Sequence, residues 1–268
     1  GDRITDAPLS RLGGVGLFTK ELEVSLIKQK IDIAVHSAKD VPTELHDGLI
    51  IGATPLREDP HDALISNNNS NLEKLPDNAR IGTSSLRRRA QLLTFRPDFK
   101  ILDLRGNLDT RLKKLETDDL DAIVVAHAGL RRLGYTGPIS QIIPFDIMLP
   151  AVGQGSLCIE IRKDDDRIHK IVSCINDAPT KTAVEAERAL LAKLQGGCQV
   201  PIGAYAQIHG SELHLEAIIC TMDGDHAIRD NQSGPINQAA KIGDELAQRM
   251  LENGGKKILH EIRLELQR

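Results

Sequence analysis

The sequence predicts an α/β protein that ends in a smaller α+β module. Three consecutive segments in the middle of the chain, beginning at Ala79, Lys100 and Asp121, each have the pattern of a strand, a loop and a helix. This repeated order is typical of parallel strands joined by crossover helices. The last part of the chain, roughly 90 residues, instead combines a predicted hairpin with a long helix. A chain of 268 residues is long enough for two or three domains.

The first predicted elements are a helix and two short strands. Residues 16–30 place leucine and isoleucine side chains near one helical face, which indicates an amphipathic helix. The apolar segment IDIAVHS, 31–37, predicts a buried strand, and Pro42 ends regular structure in the loop behind it. A second strand, GLIIGAT, is predicted at 48–54.

The central part begins with the strand DALIS at 62–66. The three strand–loop–helix segments follow at 79–93, 100–116 and 121–134. After the glycine-containing link LPAVGQG, the chain returns as a strand in SLCIEIR, 156–162. We expect the strands of the three repeated segments to be parallel.

The C-terminal module has three predicted elements. A helix is predicted at 181–194, a hairpin at 204–224 and a closing helix at 237–255. Together they predict an α+β domain of ordinary size.

Composition limits the classes of partner. The net charge is −4, aromatic residues make up 2% of the chain and Trp is absent, which argues against a nucleic-acid binder because such proteins need a basic face and stacking rings. Apolar runs are too short for a membrane span, so no membrane partner is predicted. The cysteines lack the spacing of a zinc site, so no metal is predicted. A reducing, cytoplasmic location is expected.

One of the four cysteines stands in an unusual context. Cys158 and Cys220 lie in strand-like segments and Cys174 in a helical pattern, which favours structural roles for all three. Cys198 instead lies in LQGGCQVPIG, directly after two glycines and three residues before a proline. Little bulk shields its sulfur there, so it is either an incidental loop thiol or an accessible functional group.

Arginine residues recur at the strand–helix junctions of the central part. Ser84 and Ser85 are placed to cap the first of these helices, so that backbone N–H groups and guanidinium groups face the same space. Ligands of open α/β sheets bind beyond the carboxyl ends of the strands, so these arginines indicate a polyanionic ligand. A solvated helix face is the alternative, and Arg89 is left outside the site because three consecutive helical positions do not share a face. The arginines concerned are Arg87, Arg88, Arg105, Arg111, Arg131 and Arg132.

Asp40, in HSAKDVP, also follows a predicted strand. It is a candidate general acid or a stabiliser of a cation, and Lys39 beside it favours the charged carboxylate. The alternative is an ordinary turn residue, since Asp is common before Val-Pro. His36 is interpreted as a packed or hydrogen-bonded histidine.

Seven stretches, taken together, closely resemble the porphobilinogen deaminase family, whose members are also called hydroxymethylbilane synthases. They occur in the family's order over almost the whole chain: GLFTKELE, DIAVHSAKDVP, GTSSLRRRAQL, LRGNLDTRLKKL, AGLRRLG, LPAVGQG and ERALLAKLQGGCQVPIG. The resemblance implies a cytoplasmic, monomeric transferase of haem and tetrapyrrole biosynthesis. Such an enzyme joins four molecules of porphobilinogen into the linear tetrapyrrole hydroxymethylbilane and releases ammonia.

The resemblance also implies a covalent cofactor and a set of site residues. Cys198 matches the cysteine that carries a dipyrromethane through a thioether, and Asp40 matches the catalytic aspartate. Porphobilinogen and the cofactor carry acetate and propionate groups, which the family's arginines bind. The implied cofactor-binding residues are Cys198, Lys39, Asp40, Ser85, Arg87, Arg88, Arg105 and Arg111, and the implied substrate-binding residues are Arg11, Arg132 and Gln154.

The family fold implies three domains. The first two resemble type II periplasmic binding proteins and are joined by two crossing hinge segments, here near 56–60 and 150–155. The third carries the cysteine loop. The expected domains are 1–56 with 155–175, then 60–150, then 178–268.

Two departures from the family pattern concern the start of the chain. The family's first strand and its RxSxLA segment have no match, so we expect the first domain to lack a core strand. The segment LGGVGLF, 12–18, lacks the GxxxxGK[ST] of a P-loop and is interpreted as a mobile flap. Val15 stands in it where many relatives carry lysine, and Arg11 is placed to compensate.

Two other functions remain open from the residues alone. A non-catalytic, two-lobed receptor for a small carboxylate would use the same sheet and arginines, but it gives no reason for GGCQVP or for a third domain. A thiol-dependent acyltransferase or hydrolase would use Cys198 as its nucleophile and needs a neighbouring base, for which His209 is the nearest candidate in the sequence.

Overall fold

The computed structural model of the chain describes residues 19–197 and 200–266. Within these residues the strands form one five-stranded and two three-stranded sheets. In chain order the strands are β1 (Ala34–Ser37), β2 (Leu49–Ala53), β3 (Asp62–Ser66), β4 (Arg80–Gly82), β5 (Lys100–Leu102), β6 (Ala122–Ala126), β7 (Gln141–Ile143), β8 (Leu157–Arg162), β9 (Ile202–His209), β10 (Glu212–Cys220) and β11 (Ala227–Pro235).

The helices lie between and after these strands. They are α1 (Lys20–Ile27), α2 (Leu86–Phe95), α3 (Leu108–Thr117), α4 (His127–Arg132), α5 (Asp166–Val172), α6 (Ala178–Lys193), α7 (Ala239–Met250) and α8 (Lys256–Leu266). Within the described ranges, none of the helices combines the length and the apolar character that crossing a bilayer requires.

The first sheet has the order β1-β8-β2, with both outer strands antiparallel to β8. One face of β8 packs Ile159 and Ile161 against Ile168 and Val172 of α5. The other face places Cys158 among Ala38, Val41 and Val184. The predicted return of the chain to this sheet at 156–162 is therefore confirmed.

The central sheet has the order β5-β4-β6-β3-β7. β4 pairs in parallel with both β5 and β6, which confirms the parallel arrangement predicted for the three repeated segments. β3 runs antiparallel to β6 and to β7. Because β4, β5 and β6 share one direction, the N-terminal ends of the helices that follow them, α2, α3 and α4, meet at one edge of the sheet.

The third sheet has the order β11-β10-β9 and is antiparallel throughout. The β9–β10 hairpin was predicted, whereas β11 was not. Helices α6 and α7 cover the sheet with a buried cluster that includes Leu190, Leu215, Ile242 and Leu246. The predicted closing helix at 237–255 corresponds to α7, which ends at Met250, and the backbone kinks at Asn253 and Gly254. α8, which follows the kink, was not predicted.

The first helix is shorter than predicted. The sequence indicates a helix over 16–30, and within the described residues α1 extends from Lys20 to Ile27. Gln29 then adopts a positive φ of 54°, which ends helical geometry.

Candidate active site

The turn that carries Lys39 and Asp40 follows β1 directly. Residues Ala38–Asp40 form one turn of 3₁₀ helix, in which Val41 N donates to Ala38 O at 3.3 Å. Ala38 N donates to Ser156 O at 3.0 Å, which ties this turn to the start of β8. The Asp40 residue is exposed and Lys39 is half-buried. Because Asp40 is exposed on a short, anchored turn, it is accessible to a ligand.

Arg188 of α6 fixes the chain just beyond this turn. Its Nη1 donates to Val41 O at 3.1 Å, and its Nη2 donates to Pro42 O at 2.5 Å and to Thr43 O at 3.2 Å. Burial lowers the pKa of Arg188, and the nearby Cys158 opposes that effect. The segment that follows Asp40 is therefore held by a side chain of α6, the helix that packs on the third sheet.

Asp62, the first residue of β3, accepts hydrogen bonds from both arginines at the start of α2. Its Oδ2 lies 2.7 Å from Arg87 Nη1, and its Oδ1 lies 2.7 Å from Arg88 Nη2 and 3.0 Å from Arg88 Nε. Burial alone would raise the pKa of Asp62, but the two guanidinium groups outweigh it and hold that pKa well below its usual range. Asp62 is fully buried, and each arginine is only 5% exposed.

Both arginines also donate to backbone carbonyls. Arg87 Nη1 lies 2.7 Å from Leu149 O, and Arg88 Nη1 lies 3.0 Å from Val124 O. Burial lowers the pKa of Arg87. Within the described part of the chain, Arg87 Nε is buried and has no hydrogen-bond partner. This unpaired N–H is a donor that a ligand carboxylate would satisfy.

Lys39 lies within electrostatic range of this arginine–aspartate group. Burial lowers the pKa of Lys39, Asp40 raises it, and Arg88 lowers it again. Burial lowers the pKa of Arg111 of α3, and the positive charge of Arg88 adds to that effect. Hydrogen bonds thus join Arg87 and Arg88 to Asp62, and Lys39 and Arg111 lie within electrostatic range of this group. Asp40 lies within the same range of Lys39.

Gln154 connects this group to the segment that enters β8. Its Nε2 donates to Asp62 Oδ1 at 3.0 Å and to Pro60 O at 2.7 Å. Its Oε1 is buried without a partner among the described residues. The predicted substrate-binding residue Gln154 therefore contacts the cluster through Asp62.

The remaining predicted residues lie around the same edge of the central sheet. Ser85 is the N-cap of α2, where its side chain accepts from Arg88 N at 3.4 Å. Arg105 is half-buried just after β5, and Arg132 is exposed with Nη2 2.6 Å from Gly155 O. Arg89 is exposed. Three predicted positions, Arg11, Val15 and Cys198, lie outside the described residues.

A second buried ion pair joins the connecting segments to the third sheet. Arg57 Nη1 donates to Glu187 Oε1 at 2.5 Å, and Glu187 is fully buried. Glu187 Oε2 also accepts from Gly153 N at 2.6 Å, and its Oε1 accepts from Ala206 N at 2.9 Å. The guanidinium carbon of Arg57 lies 5.0 Å from the ring centroid of Tyr205, a cation–π distance. One carboxylate therefore binds both connecting segments and β9.

Two glycines allow these segments to pass close to their neighbours. Gly153 has a φ of 71°, and a Cβ there would lie 2.9 Å from Ala38 Cβ and 3.2 Å from Lys39 N. Gly155 has a φ of 85°, and a Cβ there would collide with the carbonyl oxygen of Glu58. Glu58 N donates to Gly155 O at 3.1 Å, so the two segments cross in direct contact. Larger residues at either glycine would separate them.

The sequence interpretation missed four residues of this arrangement: Arg57, Asp62, Glu187 and Arg188. Asp62 carried a usable signal, because an aspartate heads an otherwise apolar buried strand. Glu187 carried another, since it falls on the same helical stripe as Ala183 and Leu190, which are buried. Arg57 and Arg188 gave no signal, because their partners are far away in the chain.

The described cysteines differ in environment. Burial raises the pKa of Cys158 to about 11 and that of Cys220 to about 12, as suits the core positions predicted for them. Cys174 is exposed, so the structural role expected for it is not supported. His209, the candidate base of a thiol enzyme, is exposed at the end of β9. Among the described residues, no group of three or more His, Cys, Asp or Glu side chains is arranged to hold a metal ion.

Comparison with known proteins identifies relatives along the whole chain. Residues 1–170 match the family described as "Porphobilinogen deaminase, dipyromethane cofactor binding domain", and residues 181–252 match "Porphobilinogen deaminase, C-terminal domain". The chain is 51% identical over 263 residues to the porphobilinogen deaminase of Desulforamulus reducens, covering 98% of this chain and 85% of that protein. It is 50% identical over 268 residues to that of Pelotomaculum thermopropionicum, covering 100% and 86%.

Solved structures give a more distant likeness. A probable amino-acid ABC transporter extracellular-binding protein from Bacillus subtilis is similar over 59% of this chain and 68% of that chain, with 14% identity and a TM-score of 0.36.

Proposed function

The chain belongs to the porphobilinogen deaminase family, and from this premise we propose how its own residues carry out the reaction. It is a transferase of tetrapyrrole biosynthesis that joins porphobilinogen units into hydroxymethylbilane and releases ammonia. Its cofactor is dipyrromethane. The observation that supports the assignment of the site is the buried, hydrogen-bonded group of Arg87, Arg88, Asp62 and Gln154, with Lys39 and Arg111 within electrostatic range of it.

The residues at this edge fit a polycarboxylate. The hydrogen-bonded group holds two guanidinium groups and one carboxylate, and Arg87 Nε is a buried donor without a partner among the described residues. Guanidinium groups bind carboxylates through paired, charge-assisted hydrogen bonds. We assign Ser85, Arg87, Arg88, Arg105 and Arg111 to the carboxylates of the cofactor. Arg11, Arg132 and Gln154 are assigned to those of the substrate.

Cys198 is assigned as the covalent anchor. The dipyrromethane, when bound there through a thioether, supplies the pyrrole carbon to which porphobilinogen is joined. Helix α6 leads into this loop, and its last carbonyls, Leu194 O and Gln195 O, accept from Arg263 Nη2 at 3.2 and 3.3 Å. The start of the loop is therefore fixed to α8.

Asp40 is assigned as the catalytic group. Its turn is anchored by Ser156 O on one side and by Arg188 on the other, so the carboxylate has a defined position. It assists proton transfer to the departing amine of porphobilinogen and then stabilises the positive charge that develops on the pyrrole. Lys39 lies beside it in the same turn. We assign both residues to the cofactor's pyrrole units as well.

We also propose that the protein acts as a cytoplasmic monomer without nucleic-acid or membrane partners. The net charge of −4 and the 2% aromatic content support the absence of a nucleic-acid partner. Monomeric state and location follow the family expectation. The molar mass of the cofactor-loaded protein, measured by size-exclusion chromatography with light scattering, tests whether it is a monomer. The mass of a stable dimer would overturn this proposal.

The test of the anchor is the intact mass of the purified protein under denaturing conditions. We expect a mass increment equal to two linked pyrrole units in the unsubstituted protein and no increment in Cys198→Ala. Cys174→Ala is the matched control, because Cys174 is an exposed thiol away from the site, and it should keep the increment. An increment that survives Cys198→Ala, or disappears in Cys174→Ala, would overturn the assignment.

A further inference from the structure

Asp62 is the carboxylate that holds the arginines assigned to ligand binding. It accepts four hydrogen bonds, one from Arg87, two from Arg88 and one from Gln154. Three of these reach Oδ1 and one reaches Oδ2, so both oxygens are engaged. The side chain has no exposure to solvent, which makes each of these bonds stronger than it would be in water.

The same contacts occupy the paired donors of Arg88. All three nitrogens of its guanidinium are bonded, Nε and Nη2 to Asp62 Oδ1 and Nη1 to Val124 O. Arg87 donates from Nη1 to Asp62 Oδ2 and to Leu149 O, and its Nε is buried without a partner among the described residues. A ligand carboxylate that binds the paired donors of Arg88, or Nη1 of Arg87, must therefore compete with Asp62 for them.

We propose that Asp62 is a positioning residue that holds Arg87 and Arg88 in a buried, paired state and thereby competes with the carboxylates of the cofactor and of each substrate unit as it joins the growing chain. This inference rests on the proposed function. Asp62 touches the arginines and Gln154 and acts on the ligand only through them.

Competition of this kind suits a reaction in which the bound anion grows and must move. Arginines without a counter-charge would bind each carboxylate tightly in every state, and uniform tight binding lowers KM without raising kcat. An internal carboxylate weakens that binding and gives the guanidinium groups a partner after each ligand group has moved on. The bond from Gln154 to Asp62 connects this exchange to the segment that contains Gly153 and Gly155.

The test compares the cofactor-loaded enzyme with Asp62→Asn in steady-state kinetics with porphobilinogen. Because a hydrogen bond to a charged group changes an equilibrium by about tenfold, we expect KM to fall by about that factor. We expect kcat to fall as well, with partly elongated chains accumulating in the intact mass. Asp98→Asn is the matched control: Asp98 pairs with Arg96 at 2.7 Å at the C-terminal end of α2, the end opposite to Arg87 and Arg88, and its loss should change neither constant.

The outcomes separate the alternatives. A lower melting temperature with unchanged KM and kcat would mean that Asp62 is only structural and would overturn the proposal; so would a raised KM. The mass increment of the unsubstituted protein reports on the cofactor independently, so its absence would count against the proposed function and not against the role of Asp62.

A second pair of variants decides the question if Asp62→Asn does not fold. The single variant Arg87→Met keeps Asp62 paired with Arg88. The double variant, Arg87→Met with Asp62→Asn, has the same net charge at these three positions as the unsubstituted protein, because one arginine and the aspartate are both removed. We expect KM of the double variant to lie about tenfold below that of Arg87→Met. An equal or higher KM in the double variant would overturn the proposal.

Discussion

The carboxylate of Glu187 lies 2.5 Å from Arg57 Nη1, although 130 residues separate the two in the chain. Glu187 belongs to α6, which packs on the third sheet, whereas Arg57 belongs to the segment that leads from the first sheet into the central one. Gly153 N, in the segment that leads back, donates to the same carboxylate at 2.6 Å. The three sheets are therefore linked by a single buried side chain.

Removing this charge should destabilise the protein strongly. Glu187→Gln leaves the buried Arg57 without a counter-charge, and we expect a loss of about 3 to 5 kcal/mol in the free energy of unfolding. Urea denaturation followed by circular dichroism measures it. Glu185→Gln, at an exposed position of the same helix, should change the value by about 0.5 kcal/mol or less. Equal losses in the two variants would contradict a specific role for Glu187.

Gly155→Ala should separate the two connecting segments. The substitution adds a Cβ at a φ of 85°, where it meets Glu58 O. Gly48→Ala is the matched control, because Gly48 has a φ of 89° and open space around a Cβ. We expect the strained backbone to lower the free energy of unfolding of each variant by about 1 to 2 kcal/mol. The collision should lower that of Gly155→Ala by about 1 to 3 kcal/mol more. Thermal unfolding measures both effects. Similar melting temperatures would show that the segments tolerate separation.

Asp62 should make the protein sensitive to acid. The folded-state pKa of Asp62 is depressed, so its contribution is complete above the unfolded value of about 4 and is lost as the pH falls towards the folded value. The groups that face it are Arg87, Arg88, Gln154 and, at longer range, Lys39. We expect the stability difference between the unsubstituted protein and Asp62→Asn, about 3 kcal/mol at pH 7, to shrink between pH 4 and pH 2.

The matched control for this acid dependence is Asp164→Asn, since Asp164 is exposed. Its stability difference from the unsubstituted protein should stay near zero across the same pH range. Denaturant titrations at a series of pH values measure both differences, and a constant difference for Asp62→Asn would contradict the prediction.

Asp40→Asn should separate cofactor assembly from turnover. The turn is held by backbone contacts to Ser156 O and Arg188, which the substitution leaves intact, so the protein should fold and keep the mass increment of the cofactor. The rate of hydroxymethylbilane formation should fall by a factor of about 100 or more, because a proton-transfer group is lost. Asp47→Asn, at an exposed position after the same turn, should keep full activity. Full activity of Asp40→Asn would remove the residue from the mechanism.

Arg111→Gln should weaken the binding of carboxylates without unfolding the site. Arg111 is half-buried, and its Nε donates to Gly106 O at 2.8 Å. We expect KM for porphobilinogen to rise about tenfold, or cofactor loading to fall, because one charge-assisted interaction is lost. Arg89→Gln, which removes an exposed arginine of α2, is the control and should leave both unchanged. Identical kinetics for the two variants would place Arg111 outside the site.

The sequence supported the prediction of the elements that depend on local pattern. Strand, loop and helix alternate clearly at Ala79, Lys100 and Asp121, so the parallel strands and the helix ends that face the site were predictable. β11 was not, because AIRDNQSGP has the composition of a loop and is a strand only through its pairing with β10. The predicted closing helix ended at Gly255, and α8, which begins at Lys256 behind the kink at Asn253 and Gly254, was not predicted.

Which charged residues pair with each other within the site could not be predicted from local pattern. The arginines of α2 were predicted, but not that Asp62 neutralises them, because β3 lies next to β6 only in the folded sheet. Glu187 and Arg188 are neighbours in the chain and point to different partners, Arg57 and the segment behind Asp40. Tertiary structure alone decides which charge meets which.

The contacts of Arg188 have a consequence for how this region tolerates sequence change during evolution. The guanidinium binds three successive main-chain carbonyls, those of Val41, Pro42 and Thr43, and none of their side chains. Every amino acid supplies the same carbonyl, so these three positions are free to drift wherever their side chains permit the backbone path. Arg188 itself is not, because a lysine ammonium lacks the planar fork that reaches several acceptors at once. Selection on the geometry of the Asp40 turn therefore falls on a residue almost 150 positions away.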